Sequence, residues 1–291
     1  MRELTSGALL DALRGVHWPA RRMSRGAFQG SHRSRRVGAS PEFMEYRPYQ
    51  QGDDPGRIDW KLFGRTERVA VRLSHDDSSL RTMVLVDGTA SMAFPAGTAA
   101  KWHAAAAIAL GLAAVAHGDN DPVGIAIAGP VPRVLPPRTR RGTISDVLRA
   151  LLETTPGGSA PLAPLLAASR ASRRVAIISD FLGDADAMHG VAREMVAGGA
   201  EVFAVHVVAA EELDPGEAAR VVTDPENPAL RRPLGRAELI QYREDFARWR
   251  ATLAQAWRGA GAVYHEVSAA EAPDRVVRRV TGLAEPAARG L

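Results

Sequence analysis

Three oxygen-bearing side chains occupy alternate positions directly after a short apolar run. Asp87, Thr89 and Ser91 follow residues Met83–Val86, and such a run is typical of a buried strand in a parallel sheet. Ligands of open α/β sheets bind at the carboxyl ends of the strands. Carboxylate and hydroxyl oxygens suit a hard cation such as Mg²⁺. The spacing therefore predicts a cation site at the end of a central strand.

Two later segments bring similar side chains to predicted strand ends. Ser159 closes a Gly-Gly-Ser turn, and Asp180 follows the strand predicted at 175–179. Singly, each fits a structural role, since Ser and Thr cap helices and an acid favours a helix start. With the first motif, they offer three hydroxyls and two carboxylates at one edge of the sheet. We expect this set to hold one Mg²⁺, with Mn²⁺ or Ca²⁺ as alternatives.

The hydroxyl ligands also indicate what the ion would do. Hydroxyls are neutral, so a cation held largely by them keeps positive character, and Mg²⁺ completes its octahedron from outside when protein ligands are few. A carboxylate from another protein can take that open position. The sequence therefore predicts an acidic protein ligand rather than a substrate that is hydrolysed.

The elements that would position these residues alternate between strands and helices. Strands are predicted at 82–87, 122–128, 175–179, 201–208 and 263–267, with a short edge hairpin at 131–135. Helices are predicted at about 98–116, 143–153, 161–170, 185–197, 236–258 and 270–288, with a polar surface excursion at 209–235. This alternation predicts an α/β fold whose mostly parallel, doubly wound sheet is flanked by helices.

Composition divides the chain into three predicted segments. Residues 1–40 form a basic arm with eight Arg and two acids, residues 41–79 a β-rich extension, and residues 80–291 the α/β domain. The net charge is +4, and the isoelectric point is near 9.9. A basic arm is either a solvated segment or a contact for nucleic acid or an anionic membrane.

Composition also excludes several kinds of site. The chain has no cysteine, which excludes disulfides, thiolate metal ligands and cysteine nucleophiles. It contains no run of 18 apolar residues, so no transmembrane span is predicted. No apolar core with a small-residue cleavage site follows the N-terminus, and a cytoplasmic location is therefore expected.

Acids and bases interleave in the extension, around a tight turn predicted at 52–56 and before a strand predicted at 69–73. This pattern predicts either an internal network of ion pairs or a docking surface beside the cation site. On the second interpretation, the partner-binding residues are Arg57, Asp59, Trp60, Lys61 and Arg65.

These motifs resemble a known family. Asp-x-Thr-x-Ser, Gly-Gly-Ser and Ser-Asp resemble the metal-ion-dependent adhesion site of von Willebrand factor A domains. The upstream run, from Glu42-Phe43 through Arg57-Ile58-Asp59-Trp60-Lys61 to Arg65, resembles the signature of the bacterial domain of unknown function 58. The resemblance covers about residues 25–290. It implies a von Willebrand factor A-like, Rossmann-like fold and a MoxR-type AAA+ ATPase as partner.

The resemblance assigns the metal ligands residue by residue. Asp87, Thr89 and Ser91 match the first motif, Ser159 stands where adhesion sites usually have Thr, and Asp180 matches the acidic ligand of the third loop. Thr89 replaces the usual Ser. Both replacements keep the ligand oxygen, so neither forbids a metal.

Two other functions are weaker alternatives. The run Val86–Thr89 superficially resembles the first motif of haloacid-dehalogenase-type phosphohydrolases, with Asp87 as the reacting acid. The nucleophile of that class lies two residues earlier, where this chain has Leu85, and leucine cannot form an aspartyl-phosphate. The other alternative is nucleic-acid binding by the Arg-rich arm, but no nucleic-acid module is recognisable. A non-catalytic protein is therefore expected.

Overall fold

A computed structural model of the chain describes residues 6–21, 45–49, 58–73, 79–183, 185–216, 221–223, 231–233 and 235–282. Contacts divide the chain into two units. One unit combines residues 1–22 with 80–291, and the other comprises residues 23–79. The first is called the sheet unit below.

The described helices and strands follow the predicted alternation. In chain order they are α1 (Ser6–Ala12), β1 (Glu45–Pro48), α2 (Trp60–Thr66), β2 (Ala70–Leu73), β3 (Thr82–Asp87), α3 (Ala100–Gly118), β4 (Val123–Ala128), β5 (Arg133–Arg138), α4 (Thr143–Leu152), α5 (Ala163–Ala168), β6 (Arg174–Ser179), α6 (Ala185–Ala197), β7 (Glu201–Val208), α7 (Ala210–Leu213), β8 (Val221–Thr223), β9 (Arg231–Pro233), α8 (Arg236–Gly259), β10 (Val263–Ser268) and α9 (Pro273–Val280).

Six strands form one sheet in the order β10-β7-β6-β3-β4-β5. All neighbouring pairs are parallel except β4 and β5, which pair antiparallel at the edge. The chain leaves β3 toward β4 and β5, then returns to β6 on the other side of β3. This change of direction is a topological switch point, where open α/β sheets bind ligands. The predicted α/β fold with a mostly parallel sheet is confirmed.

Helices cover both faces of the sheet, which is why its central strands are apolar throughout. All six residues of β3, β4 and β6 are buried. On one face, Val84 and Val86 pack in a core with residues of α3, α4 and α9. On the other, Leu85 packs in a core with residues of α5, α6 and α8. Burial on both faces favours long β-branched and leucine-rich strands without alternation.

Part of the predicted basic arm packs on the sheet unit. Leu13, Val16 and Trp18 are buried, and the Trp18 ring lies 5.0 Å from that of Phe203. The buried Arg174 guanidinium lies 4.5 Å from the Trp18 ring and donates a hydrogen bond to the Trp18 carbonyl at 2.8 Å. Residues 6–21 are therefore anchored by apolar burial and by one internal cation, while residues 22–40 lie outside the described part of the chain.

Arg174 is itself held by two carboxylates. Its guanidinium donates to Asp121 at 3.1 Å and to Glu201 at 3.3 Å. Burial lowers the pKa of Arg174, and the two carboxylates oppose that shift.

The second unit contains a helix that the sequence analysis missed. Strands β1 and β2 pair antiparallel, as expected for a β-rich extension, but α2 lies between them in the chain. Asp59 accepts a hydrogen bond from the Leu62 N–H at 3.0 Å, which is the contact of a helix N-cap. The interleaved acids and bases therefore include the cap of a helix, which their pattern does not predict. The turn predicted at 52–56 lies outside the described residues.

Other predicted elements differ mainly at their ends. The excursion at 209–235 contains the one-turn helix α7 and the hairpin β8–β9. The edge strand runs over 133–138 rather than 131–135, and α9 begins at Pro273 rather than at 270. No helix among the described residues has the length and apolar character needed to cross a bilayer.

Replacing Trp18 by Ala tests the anchoring of the N-terminal segment. We expect Trp18→Ala to lower the free energy of unfolding by about 3–5 kcal/mol, since it removes a large buried ring. Urea unfolding followed by circular dichroism measures this change. The matched control is Trp60→Ala, whose ring is 62% exposed and whose loss should cost less than about 0.5 kcal/mol. Equal effects of the two substitutions would contradict the packing of residues 6–21.

Candidate metal centre

The predicted site lies at the carboxyl ends of β3 and β6, beside the topological switch point. Asp87 is the last residue of β3, and Ser179 is the last residue of its parallel neighbour β6. The Ser179 hydroxyl donates a hydrogen bond to Asp87 Oδ2 at 2.6 Å. Ser179 is absent from the predicted ligand set, although its place at a strand end next to Asp180 could have identified it.

The side chains of the first motif converge on one another. Asp87 Oδ1 accepts hydrogen bonds from the Thr89 N–H at 2.9 Å and from the Thr89 hydroxyl at 2.6 Å. The Ser91 hydroxyl lies 3.1 Å from the Thr89 hydroxyl. All three residues are buried. Their alternate spacing therefore places three oxygens together, as predicted, by means of a tight Asp-centred turn.

Glycine at position 88 lets this loop pass close to the neighbouring strand. A Cβ atom on Gly88 would lie 2.4 Å from the carbonyl oxygen of Ala128. Two backbone hydrogen bonds then join this loop to the one that carries Ser159. Gly157 donates to the Gly88 carbonyl at 2.8 Å, and Ala90 donates to the Gly158 carbonyl at 2.9 Å. The main chain therefore preorganises both loops.

A small cavity of about 80 Å³ opens between these loops. Its lining combines four oxygen-bearing side chains with small and apolar residues: Asp87, Thr89, Ser159, Ala160, Pro161, Leu162, Ser179, Gly183 and Met188. A water molecule takes about 30 Å³ in the liquid, so this volume suits one ion with a water or an incoming oxygen. The structure thus brings Asp87, Thr89 and Ser159 to one cavity, while Ser91 and Asp180 lie outside its lining.

Asp180 contacts an internal cation. Its Oδ2 accepts a hydrogen bond from Lys101 Nζ at 2.7 Å, and its Oδ1 accepts one from the Leu182 N–H at 3.2 Å. Lys101 Nζ also donates to Glu212 Oε1 at 2.6 Å. The side chains of Lys101 and Asp180 are 1% and 3% exposed. Lys101 was not predicted as a site residue, because nothing in its helical sequence context distinguishes it.

Burial dominates the electrostatics of Asp87. The pKa of the Asp87 carboxyl is raised to about 6, first by burial and then by the nearby Asp180 carboxylate, while hydrogen bonds from Ser179 and Thr89 oppose the rise. Burial alone would lower the pKa of Lys101, but Asp180 and Glu212 outweigh it and raise that pKa. The centre therefore holds a charged ammonium and a carboxylate that still favours additional positive charge.

The chemistry of these groups fits a hard divalent cation. Two carboxylates and several hydroxyls meet within one buried region, and hard cations prefer oxygen ligands. Within the described ranges, no three His, Asp or Glu side chains cluster as a metal site, so the hydroxyls would supply much of the coordination. A set made of oxygen ligands and rich in hydroxyls suits Mg²⁺ or Mn²⁺ better than a softer metal.

The predicted partner-binding residues have different surroundings. Trp60 is 62% exposed and Arg65 is exposed in the last turn of α2, whereas Asp59 is buried and caps the helix. Lys61 belongs to α2, but its side chain is not among the described ones. Arg57 lies outside the described residues. Trp60 and Arg65 are therefore available to a partner, and Asp59 holds the helix that presents them.

The raised pKa of Asp87 predicts a pH-dependent stability in EDTA. Between pH 4 and 6 the folded state retains the Asp87 proton more strongly than the unfolded chain, so this contribution to the free energy of unfolding falls as pH rises. A shift from 3.8 to about 6 corresponds to about 3 kcal/mol. Urea unfolding at several pH values should show this fall in the wild type and not in Asp87→Asn. Parallel pH profiles for the two proteins would contradict the assignment.

Comparison with known sequences identifies the family. The family model described as "Protein of unknown function DUF58" matches residues 45–254, well over half of the chain. Uncharacterized proteins of Mycobacterium tuberculosis and Mycobacterium bovis are each 31% identical over 266 residues, which cover 87% of this chain and 83% of the relative.

Several solved structures are similar at low identity. BatB from Bacteroides thetaiotaomicron is 14% identical and covers 69% of this chain and 96% of its own, with a TM-score of 0.44. The SpRpn10 VWA domain is 13% identical, covers 72% and 100%, and has a TM-score of 0.40. Proximal thread matrix protein 1 from the mussel byssus, with a zinc-occupied MIDAS motif, is 15% identical, covers 70% and 48%, and scores 0.41.

The family match agrees with the resemblance that the motifs indicate, and the observed sheet places their residues at its switch point. The chain belongs to the DUF58 family, and its sheet unit has the mostly parallel, doubly wound α/β fold that the resemblance to von Willebrand factor A domains implies.

Proposed function

We propose that this DUF58 protein is a non-catalytic protein–protein interaction module that holds one divalent cation between the ends of β3 and β6. The observation that carries the proposal is the cavity lined by oxygens of Asp87, Thr89, Ser159 and Ser179. The buried Asp87 carboxylate, with its raised pKa, favours a cation at this place.

In this proposal, each residue of the cation site has a separate role. Asp87 supplies the anionic ligand, and the hydroxyls of Thr89, Ser91 and Ser159 supply neutral oxygens. Ser179 orients the Asp87 carboxylate through its 2.6 Å hydrogen bond. The bound cation would supply a Lewis-acidic position for a carboxylate of the partner. Ser159 is exposed, so a partner can reach the cavity from the side of its loop.

The absence of catalysis is also part of the proposal. A phosphohydrolase of the haloacid-dehalogenase type needs a nucleophilic acid two residues before Asp87. Leu85 occupies that position and is fully buried in the core of the sheet unit, so it supports no covalent phosphoenzyme. Nucleic-acid binding by the arm is not part of the proposal: Leu13, Val16 and Trp18 of its described residues are buried in the core of the sheet unit.

The partner that the family resemblance implies is a MoxR-type AAA+ ATPase, acting with this protein in the assembly, maturation or activation of a client protein in the cytoplasm. We propose α2 as a contact for this partner. The Trp60 and Phe63 rings lie 6.2 Å apart and are 62% and 38% exposed. Exposed aromatic residues next to Arg65 are typical of interaction hot spots.

Binding of Mg²⁺ should stabilise the wild-type protein and not Asp87→Asn. A ligand that binds only the folded state at a concentration 100 times its Kd adds about 2.7 kcal/mol to the free energy of unfolding. Isothermal titration with Mg²⁺ and Mn²⁺ gives the Kd, and thermal unfolding gives the stabilisation. The control is Asp245→Asn, which changes an exposed carboxylate on α8. Negligible and equal binding by wild type and Asp87→Asn would refute a cation at this site.

Capture of the partner should depend on both proposed contacts. With a purified MoxR-type AAA+ ATPase of the same organism, we expect EDTA and Asp87→Asn to abolish capture by the tagged protein. Trp60→Ala should weaken capture at least tenfold without loss of stability, since hot-spot aromatic residues contribute about 2 kcal/mol or more. Capture that is indifferent to EDTA and to both substitutions would contradict the proposed contacts.

A further inference from the structure

Lys101 is a buried cation that neither the predicted ligand set nor the family match assigns to the site. Its ammonium lies 2.7 Å from Asp180 Oδ2 and 2.6 Å from Glu212 Oε1. The Lys101 side chain is 1% exposed, and the carboxylates are 3% and 13% exposed. One ammonium therefore partly neutralises the carboxylates of Asp180 and Glu212. Asp180 is also the residue predicted as an acidic metal ligand.

Both the residue type and its place are unusual. The chain has 37 basic residues, and only two of them, Lys61 and Lys101, are lysines. An ammonium is a compact point charge with three rotatable donors, unlike the planar fork of arginine. Lys101 also stands in the first turn of α3, where the helix dipole disfavours a cation. Its carboxylate partners are what make this position favourable.

The same ammonium connects the site with two later helices. Glu212 Oε2 accepts a hydrogen bond from the Ala209 N–H at 2.8 Å, at the start of α7. The Tyr242 hydroxyl of α8 donates to the Glu212 carbonyl at 2.9 Å. A continuous chain of contacts therefore runs from Asp180 through Lys101 and Glu212 to α8.

We propose that Lys101 is a resident counter-cation that competes with the divalent cation for the negative charge of Asp180 and thereby couples ion binding to α7 and α8. This inference rests on the proposed function. Two cations near one buried carboxylate repel each other strongly, because screening inside the protein is weak. A divalent cation at this site would weaken the contact of Lys101 with Asp180 and leave the ammonium held by Glu212 of α7.

The coupling acts in both directions, as linkage requires. A partner that moves Glu212 away from Lys101 leaves the ammonium in contact with Asp180 but not with Glu212, and this weakens binding of the divalent cation. A partner that presses Glu212 onto Lys101 strengthens it. Lys101 thereby makes ion affinity depend on what contacts α7 and the first turns of α8.

Isothermal titration with MgCl₂ on four proteins tests the competition. Lys101→Met should bind Mg²⁺ at least tenfold more tightly than the wild type. Glu212→Gln should bind it severalfold more weakly, because the ammonium then concentrates on Asp180. The double variant should behave like Lys101→Met. Arg243→Met is the matched control: Arg243 pairs with Asp214 at an exposed place on the same segment, so its loss should leave the affinity unchanged.

A second measurement follows the lysine side chains by NMR, since the chain has two lysines. Protein labelled with ¹³C at the lysine ε-carbon has two side-chain signals, and the one missing from Lys61→Arg belongs to Lys61, so the other belongs to Lys101. Addition of Mg²⁺ should shift the Lys101 signal and leave that of Lys61 in place. This measurement and Glu212→Gln decide the question even if Lys101→Met does not fold.

The outcomes separate this inference from the proposed function. Wild-type binding of Mg²⁺ with an unmoved Lys101 signal and no gain in Lys101→Met would overturn the competition and leave the cation site standing. Binding by Lys101→Met alone would support the competition and show that the ammonium excludes the ion. Failure of both proteins to bind Mg²⁺ would overturn the cation site, and the inference with it.

Discussion

The structure of this site depends on one electrostatic constraint: two carboxylates are buried side by side at the top of a parallel sheet. Asp87 and Asp180 reach this place because β3 and β6 are neighbours on either side of the switch point. Buried carboxylates need hydrogen bonds and positive charge. Asp180 accepts a hydrogen bond from the ammonium of Lys101, whereas among the described residues the side-chain donors and N–H groups that reach Asp87 are hydroxyls and an amide. Asp87 is therefore the carboxylate whose negative charge an added cation would stabilise.

The main chain joins the loops that surround this arrangement. The close approach of Gly88 to Ala128 and the two hydrogen bonds to the Gly157–Gly158 turn fix the loops through the main chain. The groups that would respond to an ion or a partner are the side-chain oxygens of the site and the Lys101 ammonium. This arrangement fits the proposed module, because Lys101 contacts Glu212 of α7, and the Glu212 carbonyl accepts a hydrogen bond from Tyr242 of α8.

Local patterns in the sequence predict the parts of this structure that local forces determine. The apolar runs of β3 and β6, and that of β7 on either side of His206, identify buried strands. The alternate oxygens at the end of β3 identify the Asp87 turn. Lys101 lies 79 positions from Asp180 in the chain, so their pairing depends on the tertiary fold. The same applies to Trp18 and Arg174. Helix α2 was missed for another reason, since charges that resemble an ion-pair network conceal its Asp59 cap.

The most direct test of the account is crystallographic. Crystals grown with Mn²⁺ and measured at wavelengths on both sides of the manganese absorption edge locate the ion without any assumption about its ligands. The account predicts one anomalous peak in the cavity, in contact with the Asp87 carboxylate and with at least one of the hydroxyls of Thr89, Ser91 and Ser159. A cavity without a peak at saturating Mn²⁺ would contradict it.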